Sequence, residues 1–98
     1  MIIFVDIDDT ICKGGTSEDY SKAEPIIERI NKVNNLFSSG HTIVYWTARG
    51  TKTGINWYNL TRNQLEEWGC LYSELRMGKP NYDLFIDDKN INSEIYFK

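Results

Sequence analysis

Met1-Ile2-Ile3-Phe4-Val5-Asp6-Ile7-Asp8-Asp9-Thr10 opens the chain. Ile2 to Val5 is an unbroken β-branched and aromatic run, the pattern of a strand buried on both faces. It stops at Asp6, and Asp6 and Asp8, two residues apart, point the same way in an extended segment. Two later apolar runs end in a similar manner. Thr42-Ile43-Val44-Tyr45-Trp46 closes at Thr47-Ala48-Arg49-Gly50, and Leu84-Phe85-Ile86 closes at Asp87-Asp88. Helical periodicity fills the intervals. Ser21-Lys22-Ala23-Glu24 has the form of a capping box, with Pro25 tolerated in a first turn. Ile26, Ile30, Val33 and Phe37 then share one face until Ser38-Ser39-Gly40. A second helix is expected from about Ile55 to Trp68, striped by Trp57, Thr61, Leu65 and Trp68 and stopped by Gly69. Leu71 to Leu75 reads as a short strand, and Ile91 to Phe97 as a small helix or edge strand. Strands alternating with helices predict an α/β fold with a mostly parallel sheet and right-handed crossovers. Ligands of such sheets bind beyond the carboxyl ends of the strands, where the acids and Thr47 converge.

Length and composition bound the rest. At 98 residues the chain is expected to form one domain, residues 1–98, with one modest core. Hydrophobic residues at 41% and 13 aromatics (Trp 3, Tyr 6, Phe 4) exclude a disordered chain. The longest apolar run, Met1 to Val5, falls far short of the ~20 residues that cross a bilayer, and Asp6 interrupts it before it could form a signal-peptide core. A cytoplasmic protein without membrane association is expected. The net charge of −3 opposes a general nucleic-acid coat. Cys12 and Cys70 form no CxxC pair and His41 is the single histidine, so reduced thiols are expected and zinc is not.

The strand-end acids suggest specific chemistry. Asp6 and Asp8, joined by Asp87 or Asp88 from another strand, would offer oxygen ligands and no soft ones, which suits Mg²⁺. A calcium EF-hand does not fit, because counting from Asp6 places Ile11 at the glycine position and Ser17 at the bidentate acid. A carboxylate can attack phosphorus to give an aspartyl-phosphate. Approach to a phosphate requires positive charge, which Lys79 in Met77-Gly78-Lys79-Pro80 would add. Thr47 and the backbone N–H groups around it would bind a phosphoryl oxygen. A second carboxylate would protonate the leaving oxygen and then activate water.

The order apolar strand–Asp6-x-Asp8-x-Thr10, apolar strand–Thr47, loop Lys79, apolar strand–Asp87-Asp88 resembles the four motifs of the haloacid dehalogenase-like superfamily over nearly the whole chain. That resemblance implies a three-layer Rossmann-like sandwich without a cap domain. It implies Asp6 as nucleophile, Asp8 as general acid/base, Thr47 on the transferring phosphoryl group and Lys79 neutralising both. Mg²⁺ would be held by Asp6, Asp87 and the Asp8 main-chain carbonyl, with Asp88 acting through water. An aspartate at the Asp8 position is similar to phosphatases and phosphomutases, and the phosphomutases carry caps for which this chain has no room. Ile11 to Glu24 is only a flap, so the site is open and is covered either by a large substrate or by a neighbouring subunit of a homo-oligomer.

Short capless members resemble phosphatases of sugar-phosphate and surface-polysaccharide pathways. The resemblance thus implies a Mg²⁺-dependent phosphomonoesterase acting on a phosphorylated sugar or related small metabolite. Trp46-Thr47-Ala48-Arg49-Gly50 also resembles the phosphatase part of polynucleotide kinase 3′-phosphatases. Action on nucleic-acid ends would need a basic groove, and the 11 Lys and Arg are spread along the chain. A phospho-acceptor module similar to response-regulator receivers is the alternative from another class, opposed by the motif order.

Thr10, Thr47, Arg49 and Lys79 form the expected substrate-binding set. Thr10 braces the turn that aims Asp8. Arg49 either grips the substrate or pairs with an acid. Gly14-Gly15 either hinges the flap or serves a tight turn.

Overall fold

The structure is a computed structural model describing all 98 residues. Three strands, β1 (Ile2–Val5), β4 (Thr42–Trp46) and β5 (Glu74–Arg76), form a parallel sheet in the order β1-β4-β5. The register sets Ile2 against Thr42 and Val5 against Tyr45, then Tyr45 against Leu75. All three strands therefore end at one edge, with Asp6, Thr47 and the Lys79 loop beyond it. Helix α1 (Ile27–Ser38) crosses from β1 to β4, and α2 (Tyr58–Glu67) crosses from β4 to β5.

The alternation of strand side chains divides the sheet. Ile3, Val5, Ile43, Tyr45 and Leu75 face one side and join Ile30 and Val33 of α1 and Leu65 of α2 in one core. Each fully buried aliphatic side chain there contributes about 1.5–3 kcal/mol. On the opposite side Phe4 meets the edge of Trp46 and lies under the Arg76 guanidinium, while Ile2 remains 72% exposed. The buried residues of both long helices thus sit on one face, and the second helical layer of a three-layer sandwich is not seen.

Both helices stop where left-handed residues allow it. Gly40, at φ 98°, donates to Phe37 O at 3.0 Å, and Gly69 ends α2 at φ 73°. Asn34 ties the crossovers together by donating to Gly69 O (2.9 Å) and accepting from Leu71 N (2.8 Å).

Several sequence expectations change: the strand expected over Leu71–Leu75 is β5, Glu74–Arg76, and the helix expected from about Ile55 begins at Tyr58. Ser21–Glu24 is not a capping box. Ser21 lies in a 3-10 turn, Tyr20–Lys22, whose cap is Asp19, and Glu24–Pro25 forms strand β3, antiparallel to β2 (Cys12–Lys13). Helix α1 begins only after Ile26, whose N–H is drawn to Ile11 O at 2.8 Å. Leu84-Phe85-Ile86 joins no strand, and residues 80–92 are exposed throughout. The outer edge of β1 is consequently unpaired. The tail forms α3 (Ser93–Tyr96), capped by Asn92, and Glu94 of α3 reaches Arg29 at 2.9 Å.

Candidate active site

The strand run ends at Asp6 because the next residues fold into a tight turn. Ile7 is fully buried, and its carbonyl accepts from Thr10 N (3.1 Å) and Ile11 N (2.9 Å). Asp9 takes φ 61°, a left-handed conformation that aspartate tolerates better than most side chains. Thr10 Oγ1 then reaches Asp6 Oδ2 at 3.4 Å, so Thr10 braces this turn as its sequence position suggested, without facing outward to a ligand.

Lys79 arrives from the loop after β5, with Nζ 3.5 Å from Asp6 Oδ1. Two backbone anchors fix it there. Its N–H donates to Thr47 O (3.0 Å), and its carbonyl accepts from Thr51 Oγ1 (2.8 Å). Burial pushes the Asp6 carboxyl above its ordinary value. Lys79 opposes that shift without cancelling it, and Asp8 nearby adds to it. Thr47 is buried at the end of β4, and its hydroxyl accepts from Arg49 N at 3.1 Å. The hydroxyl proton is thereby left to donate.

Asp8 is held by Arg49. Nε and Nη2 of that guanidinium meet Asp8 Oδ2 and Oδ1, both at 2.9 Å, a bidentate pair. Nη1 donates to Thr61 Oγ1 (3.1 Å) and to Gln64 Oε1, and the guanidinium carbon lies 4.6 Å from the centroid of the Tyr20 ring. The Arg49 side chain has no exposed surface. Of its two expected roles it takes the acid-pairing one, and that acid is Asp8 rather than a surface carboxylate. It is therefore not placed to grip a substrate.

Asp6, Asp8, Thr47 and Lys79 are thus brought together, whereas Asp87 and Asp88 are not. Both lie on the exposed segment, where Asp88 pairs with its neighbour Lys89 at 3.4 Å. Nowhere do three His, Cys, Asp or Glu side chains converge closely enough to hold a metal ion. Arg49 occupies both carboxylate oxygens of Asp8, which leaves free the main-chain carbonyl expected as its ligand atom. The expected ligand set of Asp6, Asp8, Asp87 and Asp88 does not converge on one point in this arrangement, because Asp87 and Asp88 lie on the exposed segment that joins no strand.

Three contributors escaped the sequence reading. Tyr20, Thr61 and Gln64 surround Arg49, and Gln64 Nε2 also donates to Tyr20 O at 2.8 Å, clasping the flap to α2. The available signal was Thr61, a polar residue in an otherwise apolar stripe.

No family model and no curated protein matches the chain. A crystal structure of a structural-genomics target from Vibrio cholerae is similar to it, with a TM-score of 0.86 and 25% identity over 98% of this chain and 86% of that one. The likeness supports a compact α/β architecture built on the parallel sheet. No helix of the chain is long and apolar enough to cross a membrane.

Proposed function

We propose that this protein is a phosphomonoesterase that works through an aspartyl-phosphate on Asp6, with a phosphorylated sugar or related small metabolite as substrate. The observation that carries the reading is the Asp6–Lys79 pair at the carboxyl edge of the sheet, with the Thr47 hydroxyl beyond the neighbouring strand and a second carboxylate two residues along. An Asp6 oxygen attacks phosphorus as the ester oxygen departs with a proton from Asp8. Water, losing a proton to Asp8, then attacks the phosphorus of the acyl phosphate, releasing phosphate and restoring Asp6. Lys79 offsets the charge of nucleophile and phosphate, and Thr47 donates to a phosphoryl oxygen. Arg49 keeps Asp8 aimed, and one of its two bonds must loosen for Asp8 to carry a proton.

The motif order supports placement in the haloacid dehalogenase-like superfamily, and with it a Rossmann-like three-layer arrangement. Mg²⁺ belongs to that reading as a requirement still to be met by movement of Asp87 and Asp88. No step above passes through it.

A second reading has one observation in its favour. Because Arg49 occupies both Asp8 oxygens, an acyl phosphate on Asp6 would have no free base beside it and would persist, as in a phospho-acceptor module.

Phosphate release with Mg²⁺ across sugar phosphates, nucleotides and 3′-phosphorylated oligonucleotides separates these. Turnover of sugar phosphates that Asp6→Asn and EDTA abolish supports the esterase. Preference for the oligonucleotides moves the substrate to nucleic-acid ends. A stable phosphoryl label on Asp6 without turnover supports the acceptor module, and silence from both measurements refutes Asp6 as nucleophile.

A further inference from the structure

Three segments line a cleft of about 130 Å³ whose residues include Ala48, next to Thr47, and Asn81, two positions after Lys79. The flap contributes Ser17 and Tyr20, the turn after Thr47 contributes Lys52 and Thr53, and Asn81 follows two residues behind Lys79. The walls are braced within themselves and to one another. Thr16 and Asp19 exchange backbone bonds at 3.3 and 3.0 Å, Gly54 N meets Gly50 O at 2.8 Å, and Thr51 holds the Lys79 carbonyl. The cleft is therefore formed before any ligand enters it.

Its chemistry is consistent. The lining offers three hydroxyls (Ser17, Tyr20 and Thr53), a carboxamide and the Lys52 ammonium, and no carboxylate. Lys52 takes part in no ion pair, whereas Lys79, Arg49 and Lys13 are engaged with Asp6, Asp8 and Glu94. A larger cavity of about 560 Å³, between the flap and α2, carries Glu66 and Glu67 and no cation, which repels an anionic substrate. The small cleft falls well below the roughly 300–1,000 Å³ that encloses a drug-sized ligand. It has room for one ring, not for a sugar with its base.

We infer that this cleft receives the leaving group, and that the leaving group is a single polyhydroxylated ring carrying an acid of its own, so that the substrate is an acidic sugar phosphate whose ring hydroxyls meet Ser17, Thr53 and Asn81 and whose acid meets Lys52. The inference rests on the esterase reading and narrows its substrate class.

Glucuronic acid 1-phosphate and glucose 1-phosphate, which differ by one carboxylate, test it, with an aryl phosphate as a leaving group that makes no such contacts. The wild type favours the acidic sugar in kcat/KM. Lys52→Met lowers the acidic-to-neutral ratio by about ten-fold or more, the range of one charge-assisted contact, mainly through KM. Asn81→Ala lowers turnover of both sugars relative to the aryl phosphate. Equal use of the two sugars, or an unchanged ratio in Lys52→Met, overturns the cleft assignment while Asp6-dependent aryl phosphate hydrolysis leaves the esterase reading standing. Absence of hydrolysis of all three phosphates by the wild type overturns both.

Discussion

Arg49 directs every branch of its guanidinium inward, and its loss leaves Asp8, Thr61 and Gln64 without their partner. Breaking a buried ion pair from one side costs about 3–5 kcal/mol, and a lysine has no fork to replace the bidentate contact. Arg49→Lys should therefore lower the urea midpoint almost as far as Arg49→Met, with the m-value unchanged. Asp6 carries the opposite liability. Because burial raises its carboxyl above the ordinary value of 3.8, the folded protein binds that proton more tightly than the unfolded chain does. Ionised Asp6 thus costs stability, and the cost grows as pH rises from the unfolded value through the folded one. Asp6→Asn should be slightly more stable than wild type at neutral pH and equal to it at strongly acid pH, as thermal melts against pH would reveal. The acid limb of the kcat/KM profile should likewise fall above the ordinary carboxylate value. Asp6, Asp8, Thr47 and Lys79 were legible in the sequence because a strand end fixes where its next residue emerges. The duty of Arg49 was not, since its partner Asp8 lies 41 positions away and no periodicity connects them.

Elements show the same division. The strands β1 and β4 and the cores of both helices follow from apolar runs and stripes, but β1, expected to be buried on both faces, is covered on one only, with Ile2 and Phe4 exposed on the other. Leu84-Phe85-Ile86 has the same composition yet stays off the sheet. Its approach to β1 begins at Lys79, which Thr47 tethers to the carboxyl edge, and Tyr82 is held by the Lys79 ammonium (5.4 Å) and the Phe85 ring (5.2 Å). Tethering of this kind is tertiary and has no local signature. If Mg²⁺ engages Asp87 together with Asp6, the run must close along the unpaired edge of β1. Hydrogen exchange at Leu84 to Ile86 should then slow on adding Mg²⁺ with a phosphate mimic, and unchanged exchange would count against this ligand set. The turn beside the cleft has a sharper requirement. Gly50 sits at φ 83°, and a Cβ there would lie 2.1 Å from the Ile55 carbonyl oxygen. Gly50→Ala should cost about 1–3 kcal/mol and raise KM, measurable by melting and steady-state rates.

Across the whole molecule, one core serves both the sheet and the flap. Cys12 under the flap and Cys70 after α2 belong to it, and burial pushes their thiols up to about 12 and about 11. Neither can react as a thiolate without opening. Alkylation of both at pH 8 should be slow and parallel, with rates that follow global unfolding as urea is added. Rapid modification of Cys12 alone would mean that the flap opens by itself. The sequence foretold the class of this architecture but not its layering, because helical stripes state that a face is covered and not which side of a sheet covers it. The double anchorage of Lys79 has a mechanical consequence at this scale. Its ammonium is positioned by the turn of β4, so the exposed stretch 83–92 hangs between the site and α3, whose Ser93 and Glu94 return to Asp9 and Arg29. Segments of other lengths could be spliced there while the cation stays in register with the nucleophile, which makes that point a natural socket for a roof.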